Sequence, residues 1–330
     1  LHLSLRRQRQ MCIRDRINAI IASDQAVIGY ASSIQMEVHI STQTNITNIE
    51  TIRFYSHFAD VIVLSRELSL YQIKKITKEI EKQKIKGPSG ELMQIEIFAH
   101  GALCVAVSGK CYMSLHTTNS SANRGACIQN CRKTYTVTDK EDGHQFEIDN
   151  EYIMSPKDLC TIGFLDQVLE AGANILKLEG RGRSPEYVKT TTECYRDAAN
   201  SYLNGTYTKE KIEKWMTKLK TVYNRGFWDG YYLGQKLGEW AKIHGSKATK
   251  KKVYLGKAKK YFSNLQVAEF DLESFNLNKG DNILITGKKT GVVETIVGEM
   301  RLNNKLVKDV KKGDNFSMKL DYTCLLYTSD

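Results

Sequence analysis

The stretch VIVLSRELSLYQIKKITKEIEKQKIKGPSGELMQIEIFAH, residues 61–100, holds a strand, a helix and a second strand in a row. Val61 to Ser65 is a continuous apolar run of the kind carried by strands covered on both faces. From Leu68 to Gln83 the apolar residues switch to helical spacing. Ser69 stands where an N-cap would accept from the free N–H groups of the first turn. The KGPSG segment ends this helix, and Gln94 to Ala99 predicts the next strand. Outward from there the pattern repeats. Upstream, Met36 to Thr42 predicts a strand and Asn48 to Phe58 a helix. Downstream, residues 147–154 predict a strand, Phe164 to Gly172 a helix closed by Gly172, and Ile175 to Gly180 another strand. Alternation at this pace implies an α/β chain with a parallel sheet under helices, either doubly wound or a (β/α)8 barrel.

Barrel enzymes place their chemistry at the C-terminal ends of the strands. Here those ends carry His39, Ser41 and Gln43, then Ser65, Arg66 and Glu67, then His100, then Lys177, Glu179 and Arg181. Any one of them has a bland alternative as a cap or loop residue. Four polar strand ends in succession predict one shared site. Residues 184–221 read as helical, with Tyr187, Tyr195, Tyr202 and Trp215 as core packing. In YNRGFWDGYYLG (223–234), Arg225 is open to two readings, a phosphate contact or a structural salt bridge. His244 to Lys252 predicts a linker, and the short Gly- and Asp-punctuated strands beyond it predict a small β-barrel.

Five of the chain's eight cysteines fall between residues 104 and 160, spaced C-x6-C-x15-C-x3-C-x28-C. Such clustering in a long chain points to a metal rather than to the disulfide framework of a small secreted domain. Thiolates are soft ligands that select zinc, copper(I) or iron–sulfur clusters. Zinc sites usually show two short C-x2-4-C knuckles, and only Cys127 and Cys131 stand that close. An iron–sulfur cluster therefore suits the array better, with a set of buried free thiols as the alternative.

Both ends read as translated sequencing adapter. MCIRDR (11–16) and CLLYTSD (324–330) can be encoded by sequences that are reverse complements over most of their length. Residues 1–16 and 323–330 are set aside on that ground. Removing their five arginines, Asp15 and Asp330 takes three from the formal net charge of +11. The remainder is still basic enough to favour a polyanionic partner such as RNA. No apolar run approaches a membrane span and no signal peptide is visible, so a cytoplasmic protein with reduced thiols is expected.

EIFAHGALCVAVSGKCYMS (96–114) resembles the signature of the collagenase-like peptidase family, unknown-type peptidase family 32. The likeness extends to STQTNITN (41–48), VLSREL (63–68), SPKDLC (155–160), LKLEGRGRSPEYV (176–188) and YNRGF (223–227), and covers nearly all of residues 17–322. It is strongest to the bacterial prephenate-dependent tRNA uridine hydroxylation proteins. The resemblance implies a (β/α)8 TIM-like barrel over 17–245, truncated by its first one or two strands, followed by the small β-barrel over 246–322. It also implies a four-iron four-sulfur cluster on Cys104, Cys111, Cys127 and Cys160, with Cys131 taking a ligand's place in some relatives, and Cys194 merely packed.

On that reading prephenate is the oxygen donor, tRNA the substrate, and a homologous subunit a possible partner. Arg66 and Arg181 are candidates for the donor's carboxylates, since a guanidinium pairs with a carboxylate through two hydrogen bonds. Glu67 and Glu179 would orient them or handle protons, and His100 is the general acid–base candidate. Two other classes stay open. One is a peptidase, with a Cys–His nucleophile built from Cys104 and His100. The other is a non-catalytic RNA-binding or assembly subunit. No G-x-S-x-G elbow or H-E-x-x-H motif occurs. Seven lysines at 247, 250–252, 257, 259 and 260, without an acidic residue among them, predict either a grip on the RNA backbone or a solvated linker.

Overall fold

Ser69 begins the helix that the sequence assigns to it. Its hydroxyl accepts from Gln72 N, and the Gln72 side chain reaches back to the Ser69 N–H, a reciprocal cap. Ile73, Ile76 and Ile80, on one stripe of that helix, are buried, each worth roughly 1.5–3 kcal/mol. The computed structural model describes residues 18–320, apart from 137, 139, 144–153, 236, 237, 243, 244, 288 and 289. The two end segments read as adapter, and the strand expected at 147–154 except for Met154, lie outside the described residues.

The described residues fall into two compact units, divided at 181/182, 190/191 and 248/249. In the first, strand and helix alternate as β1 (Ala19–Ala22), α1 (Gln25–Ser33), β2 (Glu37–Ile40), α2 (Ile49–Tyr55), β3 (Val61–Val63), α3 (Leu70–Gln83) and β4 (Gln94–Gly101). After the cysteine-bearing loop, with its short helix α4 (Met113–Thr118), come β5 (Asp158–Cys160), α5 (Leu165–Glu170) and β6 (Ile175–Leu178). Two long helices, α6 (Pro185–Leu203) and α7 (Lys209–Lys220), precede β7 (Phe227–Trp228). Gly172, past the end of α5, has φ +89, and a Cβ there would meet Thr77 at 2.8 Å. Glycine is required on both counts.

β1, β2, β3 and β4 pair in order and in parallel, and β6 joins β4 in parallel. This is the sheet the alternation predicts. β5 departs from it, pairing antiparallel with β4 through His100↔Cys160 and Gly101↔Leu159, while β7 runs parallel to β5. Between β4 and β5 the described residues form the cysteine-bearing loop, with only the short helix α4 and a 3-10 turn. The expected closed barrel is not formed among the described residues. Among the described residues β1 bonds only β2, β6 only β4 and the two-residue β7 only β5, so three strands keep an open edge. The architecture is α/β with an open sheet over a core that includes Ile40, Ile62, Ile95, Ile97 and Leu165. Tyr187, Tyr195, Trp215 and Cys194 are buried, as core packing requires.

The second unit combines residues 182–190, which include the first turns of α6, with a β-structured segment from residue 249 onward. A five-stranded antiparallel sheet runs β14 (Lys305–Val307), β13 (Met300–Leu302), β16 (Asn315–Lys319), β9 (Val267–Leu272), β8 (Gly256–Phe262). Two pairs accompany it, β10 (Leu277–Asn278) with β15 (Asp309–Val310) and β11 (Asn282–Gly287) with β12 (Gly291–Ile296). Leu272, Met300, Phe316 and Met318 anchor its core. The expected small β-barrel is not closed among the described residues, where these strands form separate sheets. The lysine run is not bare of acids in space. Lys252 pairs with Glu186, Lys257 with Glu273 at 3.2 Å and Lys259 with Asp271 at 2.9 Å. β8 lies antiparallel to β9, which brings Asp271 opposite Lys257 from residues far along the chain.

Candidate active site

A β-bulge between Phe98 and His100 kinks the end of β4, the strand whose continuation carries the first thiol. Bulges of this kind re-aim side chains beside functional sites. At the next residue, Gly101 has φ +110, and a Cβ there would stand 2.5 Å from the Glu179 carbonyl. The chain can turn into the cysteine loop there only as glycine.

Beyond the bulge lies a cavity of about 350 Å³, lined among others by Thr42, Asn45, Ser65, Arg66, Glu67, Cys104, Trp228 and Tyr231. Residues after β2 and β3 and the loop after β4 therefore converge, although of the four strand-end sets only Ser65, Arg66 and Glu67 line this cavity. The Arg66 guanidinium sits 5.1 Å over the Phe98 ring and donates to the Ser108 hydroxyl. Arg66, Glu67 and Cys104 thus share one cavity. Arg181 and Glu179 are not among its lining residues. The Arg181 N–H donates to Glu179 Oε1 at 2.9 Å, and its guanidinium donates to the Gly125 carbonyl, two residues from Cys127.

His100 is buried, 1% exposed, with Nδ1 at 3.3 Å from the Tyr195 hydroxyl and its ring 5.5 Å from Phe227. It turns into the core, whereas Cys104 is exposed. Tyr195 is the hub behind it: the hydroxyl donates to the Ala99 carbonyl at 2.8 Å, accepts from Thr161 N at 3.0 Å and faces Cys160 Sγ at 3.8 Å.

All five clustered cysteines are free thiols. Burial raises the Cys131 thiol, and Cys104, Cys127 and Cys111 add to that rise while Arg132 opposes it. Cys127 Sγ also accepts from Gln129 N at 3.4 Å and from the Ser114 hydroxyl at 3.8 Å. Cys160 is placed differently. It is buried against Met216 and Tyr195, and burial pushes its thiol up to about 12. Cys194 is likewise pushed up to about 11 by burial. Among the described residues no group of three or more Cys, His, Asp or Glu is placed to hold a metal ion. The donor set itself, soft thiols with N–H and O–H donors on sulfur, has the chemistry of a cluster site, whose ligands stand farther apart than those around one ion.

The sequence argument missed two buried carboxylates, Glu96 and Asp158, and one half-buried guanidinium, Arg132, in this unit. Glu96, within β4, accepts from Lys177 at 2.7 Å and pairs with His39 Nδ1 at 2.8 Å. Burial alone would raise this carboxyl. The hydrogen bonds from His39 and Lys177, and their charges, outweigh that and hold it below the usual carboxylate range. His39 is raised by its bond to Glu96 in spite of burial. An acidic residue inside the apolar run QIEIFA was the available signal. Asp158 holds Arg225 through Nη1 at 3.2 Å and through the Arg225 N–H at 3.1 Å, so the salt-bridge reading of Arg225 stands. Arg132 donates to the carbonyls of Leu103 and Pro156, both at 2.6 Å, and to the Ser155 hydroxyl at 3.1 Å.

A protein named collagenase from Porphyromonas gingivalis (strain W83) is 56% identical over 303 residues, covering 92% of this chain and 73% of the relative. A tRNA hydroxylation protein P1 from Bacillus subtilis is 30% identical over 300 residues, covering 86% of this chain and 67% of the relative. A 23S rRNA 5-hydroxycytidine C2501 synthase from Escherichia coli is 36% identical over 188 residues, covering 57% of this chain and 27% of the relative. The model of peptidase family U32 matches residues 5–242. A match over that span, together with relatives of this identity and coverage, means that the chain belongs to peptidase family U32.

Proposed function

We propose that this chain is an iron–sulfur-dependent RNA hydroxylation protein acting at C5 of the wobble uridine of tRNA, with prephenate as the oxygen donor. The observation that carries the reading is the cavity that Arg66, Glu67 and Cys104 line together, Cys104 being the first thiol of the cysteine loop. Cys104, Cys111 and Cys127, with Cys160 or Cys131 as the fourth, would hold a 4Fe-4S cluster. A bound cluster would supply one-electron redox chemistry at the cavity mouth. The rest falls to the protein's own side chains. Arg66, set by Ser108 and Phe98, binds a carboxylate of the donor through its forked N–H groups. Glu67 takes or returns a proton at the cavity, and Trp228 and Tyr231 wall it against water. Arg181 offers a second guanidinium beside the cysteine loop, and Glu179 holds its backbone. The parallel run β1 to β4 with β6 would form one wall of a TIM-like barrel, with the site on its C-terminal rim. The name of the Bacillus subtilis relative supports the RNA reading.

The peptidase alternative draws on the collagenase name of the Porphyromonas gingivalis relative. A thiol nucleophile needs its base within hydrogen-bond reach. The burial of His100 against Tyr195, with Cys104 exposed, gives that pair no support. The deciding experiment is nucleoside analysis of bulk tRNA from a strain lacking the gene. Loss of 5-hydroxyuridine-derived nucleosides is expected. Unchanged nucleosides, with gelatin cleaved by metal-free protein, would overturn the hydroxylation reading in favour of the peptidase.

RNA binding makes a separate expectation for the β unit. Lys250 and Lys251 are exposed, whereas Lys252, Lys257 and Lys259 are engaged by carboxylates. Changing Lys250 and Lys251 to Ala is expected to weaken tRNA binding and flatten its salt dependence. The slope falls by roughly 0.9 log units per log unit of salt for each duplex phosphate that is no longer neutralised. An unchanged slope, measured by filter binding across a salt series, leaves this segment a solvated linker.

A further inference from the structure

We infer that Arg132 is the clasp of the cysteine site, a positioning residue that ties the Cys104 loop to the Cys131 segment and holds a positive charge beside their thiols. The geometry is specific. One guanidinium bonds the Leu103 carbonyl, one residue before Cys104, and the Pro156 carbonyl and Ser155 hydroxyl, just before β5, while its own backbone follows Cys131 directly. Three segments far apart in the chain meet on one planar group. A planar, always-charged fork suits this task in a way a flexible ammonium does not.

The charge arrangement points the same way. The three hydrogen bonds of Arg132 among the described residues go to neutral oxygens. The nearby carboxylate, Asp158, is held by Arg225 through two hydrogen bonds. Among the described residues the Arg132 guanidinium thus stands near a second guanidinium, Arg225, with the Asp158 carboxylate and the thiols of Cys131 and Cys104 also acting on it. A half-buried guanidinium whose hydrogen bonds all go to neutral oxygens is favoured by an anion nearby. Cysteine thiolates carrying an iron–sulfur cluster form such an anion. Charge beside a cluster also sets its potential, because the reduced form carries one more negative charge. This inference rests on the cluster reading for its redox part and on geometry alone for the clasp.

The test uses the full chain with two variants. Arg132→Gln removes the charge and part of the fork; Arg132→Lys keeps the charge and loses the fork. In iron-free protein, hydrogen exchange around 102–106 and 130–133 is expected to quicken about tenfold or more in both variants, with the far-ultraviolet spectrum unchanged. In anaerobically reconstituted protein, Arg132→Gln is expected to lower the cluster midpoint potential by at least a tenfold shift in the oxidised-to-reduced ratio, about 59 mV for one electron. Arg132→Lys is expected to hold the wild-type potential while losing iron faster to a chelator. Wild-type exchange in both variants would overturn the clasp, and a wild-type potential in Arg132→Gln would overturn the charge role. Wild-type protein that takes up no iron would sink the cluster reading instead, leaving the exchange result to judge the clasp.

Discussion

Anaerobically purified protein is expected to be brown, with broad visible absorbance and about four irons and four sulfides per chain. Alanine at Cys104, Cys111 or Cys127 is expected to abolish colour and iron together, whereas Cys194→Ala leaves both intact, because Cys194 is buried in α6. Cys131→Ala and Cys160→Ala decide the fourth position. The charges of Cys104, Cys127 and Cys111 act on the Cys131 thiol, whereas Cys160 is set against Met216 and Tyr195. Its thiol, pushed up to about 12, must give up its proton before it can ligate iron. Loss of iron in Cys160→Ala with retention in Cys131→Ala would mean that β5 and the Tyr195 hub rearrange on loading. Stoichiometric zinc without iron in the wild type would reject the redox assignment altogether.

The second large effect lies in β4. Glu96→Ala is expected to cost about 3–5 kcal/mol, because it leaves Lys177 and His39 facing each other without their shared carboxylate. The measurement is a urea midpoint, compared between wild type and variant across pH. The Glu96 carboxyl is lowered on folding, so its contribution is present above the unfolded carboxylate value of 4.5 and is lost as pH falls through the lower folded value. His39 is raised, so its contribution is fully present below the unfolded value of 6.5 and is lost as pH rises through the higher folded value. The gap between wild type and Glu96→Ala is therefore expected to be widest between about pH 4.5 and 6.5 and to narrow on both sides. A gap independent of pH would show that Glu96 acts through packing alone.

The order of β2, α2, β3, α3 and β4, the cap at Ser69 and the turn at Gly172 were determined by the sequence itself, because each depends on neighbours within a few residues. Apolar spacing, a hydroxyl before the first turn and a glycine after the last are local signals. The convergence of Arg66, Glu67 and Cys104 was legible for a related reason: strand ends in a parallel sheet all point one way, so knowing the strands locates the rim. The cysteine spacing likewise named a soft donor set before any coordinates.

Tertiary structure alone decided the partners. Glu96 looks like one polar position in a strand until β2 and β6 place His39 and Lys177 against it. Lys257 and Lys259 belong to a run without acids until β9 lies antiparallel beside it. His100 follows β4 toward the rim in sequence, yet the bulge after Phe98 turns it into the core against Tyr195. The direction of β5, the open edges of the sheet and the three-way bond of Arg132 belong to the same class. Each depends on groups separated by tens of residues, whose meeting is set by packing and hydrogen-bond satisfaction across the whole fold, and no local pattern along the chain encodes it.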